Sequence, residues 1–203
     1  MDLTALSDND LMERLKGAAV AEVASGFDVI IQRYKNAIVS YLFRYVGDHR
    51  TAEDLAQEAF LRVFRKIDEY NSTAKFSTWL YTIASNLAKD EFKRRVRHPA
   101  GSLDWQTGKG ADTTRNVPQA MESADPSPDA ALEKDEMRTA VDRALKELKE
   151  DDREILVLKD VQGLAYDEIA QILKLPMGTV KSRISRARLA FKEIWKRTIG
   201  VAG

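Results

Sequence analysis

With 203 residues the chain has room for one large or two small domains, each able to bury a modest core. Its 32 Lys and Arg balance 32 Asp and Glu, which excludes a global attraction to a polyanion, so any nucleic-acid contact must come from local clusters. The lack of cysteine excludes disulfides, thiolate metal sites and thiol chemistry; no run approaches the ~18 apolar residues of a membrane span, and the polar, acidic N-terminus is unlike a secretory signal, so the expectation is a soluble cytoplasmic protein.

From Leu3 to about Arg97 the pattern is helical almost throughout. Ser7, with Asp10 three residues on, reads as a capping-box-like start ahead of Leu11 and Leu15. A long helix is expected from Phe27 to Val46, ended by Gly47 and Asp48. A third runs from Thr51 to about Ile67, where Phe60, Val63, Phe64 and Ile67 fall at i, i+3, i+4 and i+7. Its Glu53–Glu58 turn is acidic and polar, serving either the helix dipole or a basic partner. After a turn at Asn71-Ser72-Thr73, a fourth helix is expected from about Ser77 to Arg95, with Leu80, Ile83, Ala84 and Leu87 inward. Trp79, Thr82, Asn86, Lys89 and Lys93 fall on another side of it, and Arg94, Arg95 and Arg97 close it. An aromatic, an amide and cations in line suit unstacked bases: rings stack, amides read base edges and cations hold phosphates. The plainer alternative is that Phe76 and Trp79 are core.

From His98 to Leu132 the chain turns proline-containing and acidic, without an apolar face, and reads as a long flexible linker. Helical pattern resumes from Ala131 to Leu148 and from Asp152 to Asp160. Then Tyr166–Leu173, a break at Leu175-Pro176-Met177-Gly178 and a second helix capped by Thr179 have the arithmetic of a helix-turn-helix. Val180, Ile184, Ala187, Phe191 and Ile194 share a core-facing arc. Lys181, Arg188 and Lys192 form one flank, Arg183 and Arg186 the other, with Ser182 and Ser185 between. Glu193 is the only acid from Lys181 onward. Cationic flanks around small hydroxyl residues suit a major groove.

Three strings, Thr51-Ala-Glu-Asp-Leu-Ala-Gln-Glu-Ala-Phe60, Phe76-Ser-Thr-Trp-Leu-Tyr-Thr-Ile-Ala-Ser-Asn86, and Tyr166-Asp-Glu-Ile-Ala170 with Gly178-Thr-Val-Lys-Ser-Arg183, together resemble the extracytoplasmic-function sigma factors of bacterial RNA polymerase. That resemblance implies an all-α protein of two small helical domains. Residues 1–97 would be region 2, 98–132 the linker and 133–203 region 4. It implies that Asp54, Leu55, Gln57 and Glu58 bind core polymerase. It assigns Asn71, Lys75, Phe76, Trp79, Thr82, Asn86, Lys89 and Lys93 to the −10 element. It assigns Thr179, Lys181, Ser182, Arg183, Ser185, Arg186 and Arg188 to the −35 element. The linker would thread polymerase channels. The implied partners are core RNA polymerase, promoter DNA and an anti-sigma factor; no cofactor or metal is implied, and no active site. Lys149 departs from the family, which usually carries proline there, so the entry to the next helix is open.

Two other classes share some of these features. A helix-turn-helix regulator with a sensor domain would dimerise on palindromic sites. An enzyme acting on nucleic acid would need a catalytic constellation, yet His49 and His98 stand far apart and no Gly-rich phosphate loop occurs.

Overall fold

The computed structural model describes residues 3–97 and 128–200, with side chains described over 3–97 and 136–198. Among these residues every regular element is helical. The helices are α1 (Asp8–Leu15), α2 (Val20–Val46), α3 (His49–Arg65), α4 (Phe76–Arg97), α5 (Pro128–Glu147), α6 (Glu150–Leu156), α7 (Tyr166–Leu173) and α8 (Met177–Gly200). Short 3-10 turns occupy Leu3–Ala5 and Ile67–Glu69, and a π-helical segment, Val157–Val161, continues α6. The chain forms two compact units: one holds α1 to α4, and the other holds α5, α6, the π segment, α7 through Ala170, and α8.

In the first unit, α2 packs against α3 and α4, and α1 lies against α2. The expected cap is present at α1: the Ser7 hydroxyl accepts from the Asp10 N–H at 3.2 Å. Leu11, Met12 and Leu15 of this short helix are completely buried. Each such side chain contributes about 1.5–3 kcal/mol on leaving water, enough to hold a helix too short to stand alone. Helix α2 starts at Val20, about two turns before the expected Phe27. Gly26, which weakens an isolated helix, sits where α1 crosses: a Cβ there would come within 2.5 Å of the Leu15 side chain. Gly47, at φ 77°, ends α2 in the left-handed conformation, its N–H bonding to Phe43 C=O at 2.8 Å.

In α3 the small residues Ala52, Ala56 and Ala59 join Phe60 and Val63 in the core. Phe64, expected in that stripe, is 39% exposed, its ring meeting Phe27 edge-on at 5.3 Å. In α4, Leu80, Ala84 and Leu87 are buried as expected and Ile83 is half-buried.

In the second unit, α8 packs against α5 and α6. Helix α5 begins at Pro128, so residues 128–132, expected in the linker, are helical; proline suits a helix start, where its missing N–H is not needed. The remainder of the expected linker, 98–127, lies outside the described residues. Lys149 takes φ −57° and ψ 147° ahead of α6, the backbone a proline would adopt, so the departure at this position leaves the helix entry intact. No helix among the described residues is long and apolar enough to cross a membrane, and no cluster of His, Asp or Glu among them could hold a metal ion.

Candidate nucleic-acid interfaces

The segment Asn71–Lys75 joins the Ile67–Glu69 turn to α4. Asn71 Oδ1 accepts from the Thr73 N–H at 3.0 Å, a local turn bond. The Tyr70 hydroxyl donates to Ala74 C=O at 3.2 Å. Burial, then the Glu13 and Asp8 charges, push that hydroxyl up to about 12, so it remains a donor. Asn9 reaches across from α1: its Oδ1 accepts from the Phe76 N–H at 2.9 Å and its Nδ2 donates to Ala74 C=O at 3.4 Å.

The Phe76 ring is fully buried among Tyr34, Tyr70 and Trp79. The sequence reading places Phe76 among the −10 contacts; in this structure the buried ring anchors the loop from within the core. Trp79 is half-buried with its ring 5.2 Å from that of Tyr70, so its orientation is set by the core while part of it reaches solvent. Thr82 donates its hydroxyl to Thr78 C=O at 2.7 Å and retains only acceptor capacity. Asn86 and Lys93 are exposed and Lys89 is half-buried. These residues line the side of α4 away from buried Leu80, Ala84 and Ala88.

The basic end of α4 is partly self-paired. Glu91 accepts from Arg94 and Arg95, each at 2.7 Å. The Arg94 hydrogen bond, then that of Arg95, hold the Glu91 carboxyl below the usual range despite its partial burial. Arg95 also donates to Val46 C=O at 3.0 Å and to the Thr51 hydroxyl at 2.9 Å, tying α4 to the junction of α2 and α3.

On α3, Asp54 and Gln57 are exposed while Leu55 and Glu58 are half-buried, and Glu58 pairs with Arg62 at 2.8 Å. Leu61, which sequence reasoning missed, is 48% exposed on the same side, one turn from Gln57 and Glu58. Its signal was a leucine standing off the Phe60–Val63 stripe.

Helix α8 buries Val180, Ile184, Ala187 and Ile194, while half-buried Phe191 stacks on Trp195 at 5.9 Å. The helix starts at Met177, with the Val180 N–H bonding to Pro176 C=O at 3.0 Å. Thr179 is therefore inside the first turn and is not the cap. The break is Lys174-Leu175-Pro176, with Lys174 left-handed at φ 54°. Proline sets its own φ and lacks the N–H that a helix start leaves unused, so the helix begins right after it.

Lys181, Ser182, Ser185 and Arg186 are exposed, and the Ser182 hydroxyl donates to Thr179 C=O at 3.0 Å. Arg183 is half-buried and pairs with Asp151 of α6 at 3.1 Å. Arg188 is exposed and donates to both carboxylate oxygens of Asp160, the Nε bond being 3.0 Å. A cleft beside α8 is lined by Lys149, Glu150, Asp151, Asp152, Arg183 and Arg186. Sequence reasoning began this helix at Asp152, whereas α6 starts at Glu150 and holds Asp151 and Asp152 in its first turn. It missed that Asp151 also reaches Arg183.

Family models match both units: Sigma-70 region 2 over residues 30–98 and Sigma-70 region 4 over 138–191. The chain is 35% identical to the RNA polymerase sigma-H factor of Pseudomonas aeruginosa over 192 residues, 93% of each chain. It is 35% identical to the ECF RNA polymerase sigma-E factor of Escherichia coli K12 over 189 residues, 91% of this chain and 92% of that one. Among solved structures, it resembles the sigma factor RpoE from Bartonella quintana, crystallised with the anti-sigma factor NepR. The TM-score is 0.62 at 26% identity, covering 84% of this chain and 96% of that one.

Proposed function

Because this chain belongs to the sigma-70 family, in its extracytoplasmic-function branch, and is thereby a promoter-recognising initiation factor of RNA polymerase, we propose how its surfaces divide that work. The α3 side bearing Asp54, Leu55, Gln57 and Glu58 docks on core polymerase. The loop with Asn71 and Lys75, and the α4 line of Trp79, Thr82, Asn86, Lys89 and Lys93, take up and read unstacked bases of the −10 element. The α8 residues Lys181, Ser182, Arg183, Ser185, Arg186 and Arg188, with Thr179 at the helix start, meet the −35 duplex in the major groove.

The observation that carries this reading is the α4 line: an aromatic, a hydroxyl, an amide and two cations on the uncovered side of a helix whose other side is core. Unpairing and extruding a base costs a few kcal/mol. Stacking on an aromatic returns about 1–3 kcal/mol per base, and phosphate contacts from lysines add to it. On duplex DNA the −35 contacts combine base-edge hydrogen bonds with sequence-dependent shape. The polymerase forms the phosphodiester bonds; this chain supplies recognition and carries out no chemistry of its own, working in the cytoplasm, where polymerase and promoter are. As in the Bartonella quintana complex, an anti-sigma factor is the expected inhibitory partner.

Reconstituted transcription tests the division. Changing Asp54 and Glu58 to lysine inverts the charge of the α3 surface and is expected to abolish co-purification with core polymerase and all initiation, with the fold intact by circular dichroism. Undiminished co-purification would refute the docking assignment.

A further inference from the structure

Helix α4 begins without a capping side chain of its own: Lys75 precedes Phe76 and offers no acceptor. The N–H groups of a first helical turn have no partner within the helix and need one elsewhere. For Phe76 it comes from a residue 67 positions earlier in the chain, Asn9. The same carboxamide donates to Ala74 C=O. One side chain therefore grips the backbone on both sides of Lys75, at the end of the segment assigned above to base capture where it enters α4.

Beyond that grip, the segment has local bonds: the Tyr70 hydroxyl on Ala74 C=O and the Thr73 N–H on Asn71 Oδ1. Asn71, Ser72, Thr73 and Lys75 are exposed, so no apolar side chain packs them down. Fixing such residues costs backbone entropy, which must be met before DNA arrives or at the moment of binding. Helix α1 is placed to meet it beforehand. Glu13 hydrogen-bonds Ser72, the Gly17 N–H donates to Asp68 Oδ1 at 3.2 Å, and the Lys16 ammonium lies 5.5 Å from the centre of the Tyr70 ring. Asn9 is itself held. Its neighbour Asp8 accepts from Arg33 and from the Tyr34 hydroxyl, and Asp10 bonds with Ser7.

We propose that Asn9 is a positioning residue for promoter opening: it caps α4 from α1 and holds Ala74–Phe76 in the conformation that receives an unstacked base. This rests on the assignment of the Asn71–Lys75 loop to base capture, and Asn9 itself touches no DNA.

The test uses holoenzyme assembled from core polymerase and the full chain carrying Asn9→Leu, on forked promoter templates. One template has an intact −10 element; the others each carry one abasic nucleotide within it. Loss of two part-buried hydrogen bonds is expected to weaken stable complex formation on the intact template on the order of tenfold. Core association should be kept, and the melting temperature should fall by only a few degrees, as loss of one helix cap implies. At the abasic position that most impairs the wild type, Asn9→Leu and wild type should become equal, since no base remains for the loop to receive. Asn9→Asp keeps an acceptor for the Phe76 N–H and loses the donor to Ala74, so an intermediate defect with the same template dependence is expected. A defect that persists in full on every abasic template, or one matched by loss of core association, overturns the proposal and leaves base capture standing. If no abasic position impairs the wild type, base capture itself fails and the proposal falls with it.

Discussion

Removing the Asp160 carboxylate by Asp160→Ala should tighten promoter binding. Arg188 stands on the flank of α8 proposed to meet DNA, yet its guanidinium is engaged twice by Asp160 from the π-helical segment. The hydrogen bond that Arg188 donates to Asp160 raises the Arg188 pKa above its already high ordinary value, so the charge is permanent and only its partner is at issue. The two side chains are 51% and 40% exposed. At such exposure water and salt screen the pair to about 0–1 kcal/mol, so freeing the arginine can shift binding by at most about fivefold. A phosphate competing for the guanidinium must displace the carboxylate, and Asp160→Ala removes both that competitor and a local negative charge. Holoenzyme affinity for −35-dependent promoter DNA, measured across a series of salt concentrations, should therefore rise by up to about fivefold. Arg188→Ala should weaken binding and, with one phosphate contact gone, lower the salt slope by about 0.9. The double variant should resemble Arg188→Ala. If Asp160→Ala instead weakens binding and flattens the slope as much as Arg188→Ala does, the carboxylate holds the arginine in its DNA-binding pose, and the competition argument is wrong.

Asn86→Ala should slow promoter opening roughly tenfold, read by permanganate reactivity of the melted strand, while core association stays unchanged; equal loss of both would mean that the fold is damaged. Acid should destabilise the first unit. Hydrogen bonds from Thr51, with the Arg95 and His49 charges, outweigh partial burial and hold Asp48 below the usual carboxylate range, and Glu91 is lowered by Arg94 and Arg95. Groups whose folded pKa is depressed contribute stability above their unfolded pKa and lose it as pH falls towards the folded value. The melting temperature should accordingly be flat near neutrality and fall below about pH 4, and Asp48→Asn should flatten part of that decline. A midpoint that rises on acidification would contradict the assignment.

Much of the fold could be read from local pattern, because the helices carry their own signals. Ser7 and Asp10 start α1, Gly47 ends α2, and apolar spacing marks the inner sides of α3, α4 and α8. Most of what escaped was decided by partners distant in sequence. The expected helix began only at Phe27, and the crossing of Leu15 over Gly26 shows why the turns before it belong to α2. Thr179 looked like a cap because caps are usually Ser or Thr, but Pro176 had already fixed the entry to α8. Phe76 resembled a stacking residue until Tyr34 and Tyr70 closed over it. Asn9 lies in a stretch that read only as a helix start, and its two backbone contacts are 65 and 67 residues away. The acidic partners of the recognition helix, Asp151 and Asp160, carry no sequence signature because their function depends on how α6 and the π segment lie beside α8.

The balanced net charge acquires a physical role once these pairs are placed. Arg183 and Arg188 on α8, and Arg94 and Arg95 at the end of α4, are matched by Asp151, Asp160 and Glu91 of the same unit. A cation already engaged gains less from a phosphate, since the bond it makes replaces one it loses. Non-specific attraction to DNA, which grows with the number of unengaged cations, is damped more than base-edge or stacking contacts, which do not depend on net charge. Each surface on this account is weak by itself and selective for its own kind of DNA, duplex at α8 and unstacked bases at α4. Two weak sites combine into strong binding only when their separation matches the promoter, because the second contact then forms at high effective concentration. Polymerase, by fixing that separation, would convert a factor with little appetite for bulk DNA into one that discriminates promoters. Replacing the paired acids together should therefore raise affinity for random DNA more than for promoter DNA, eroding discrimination where single losses of cations would merely weaken binding.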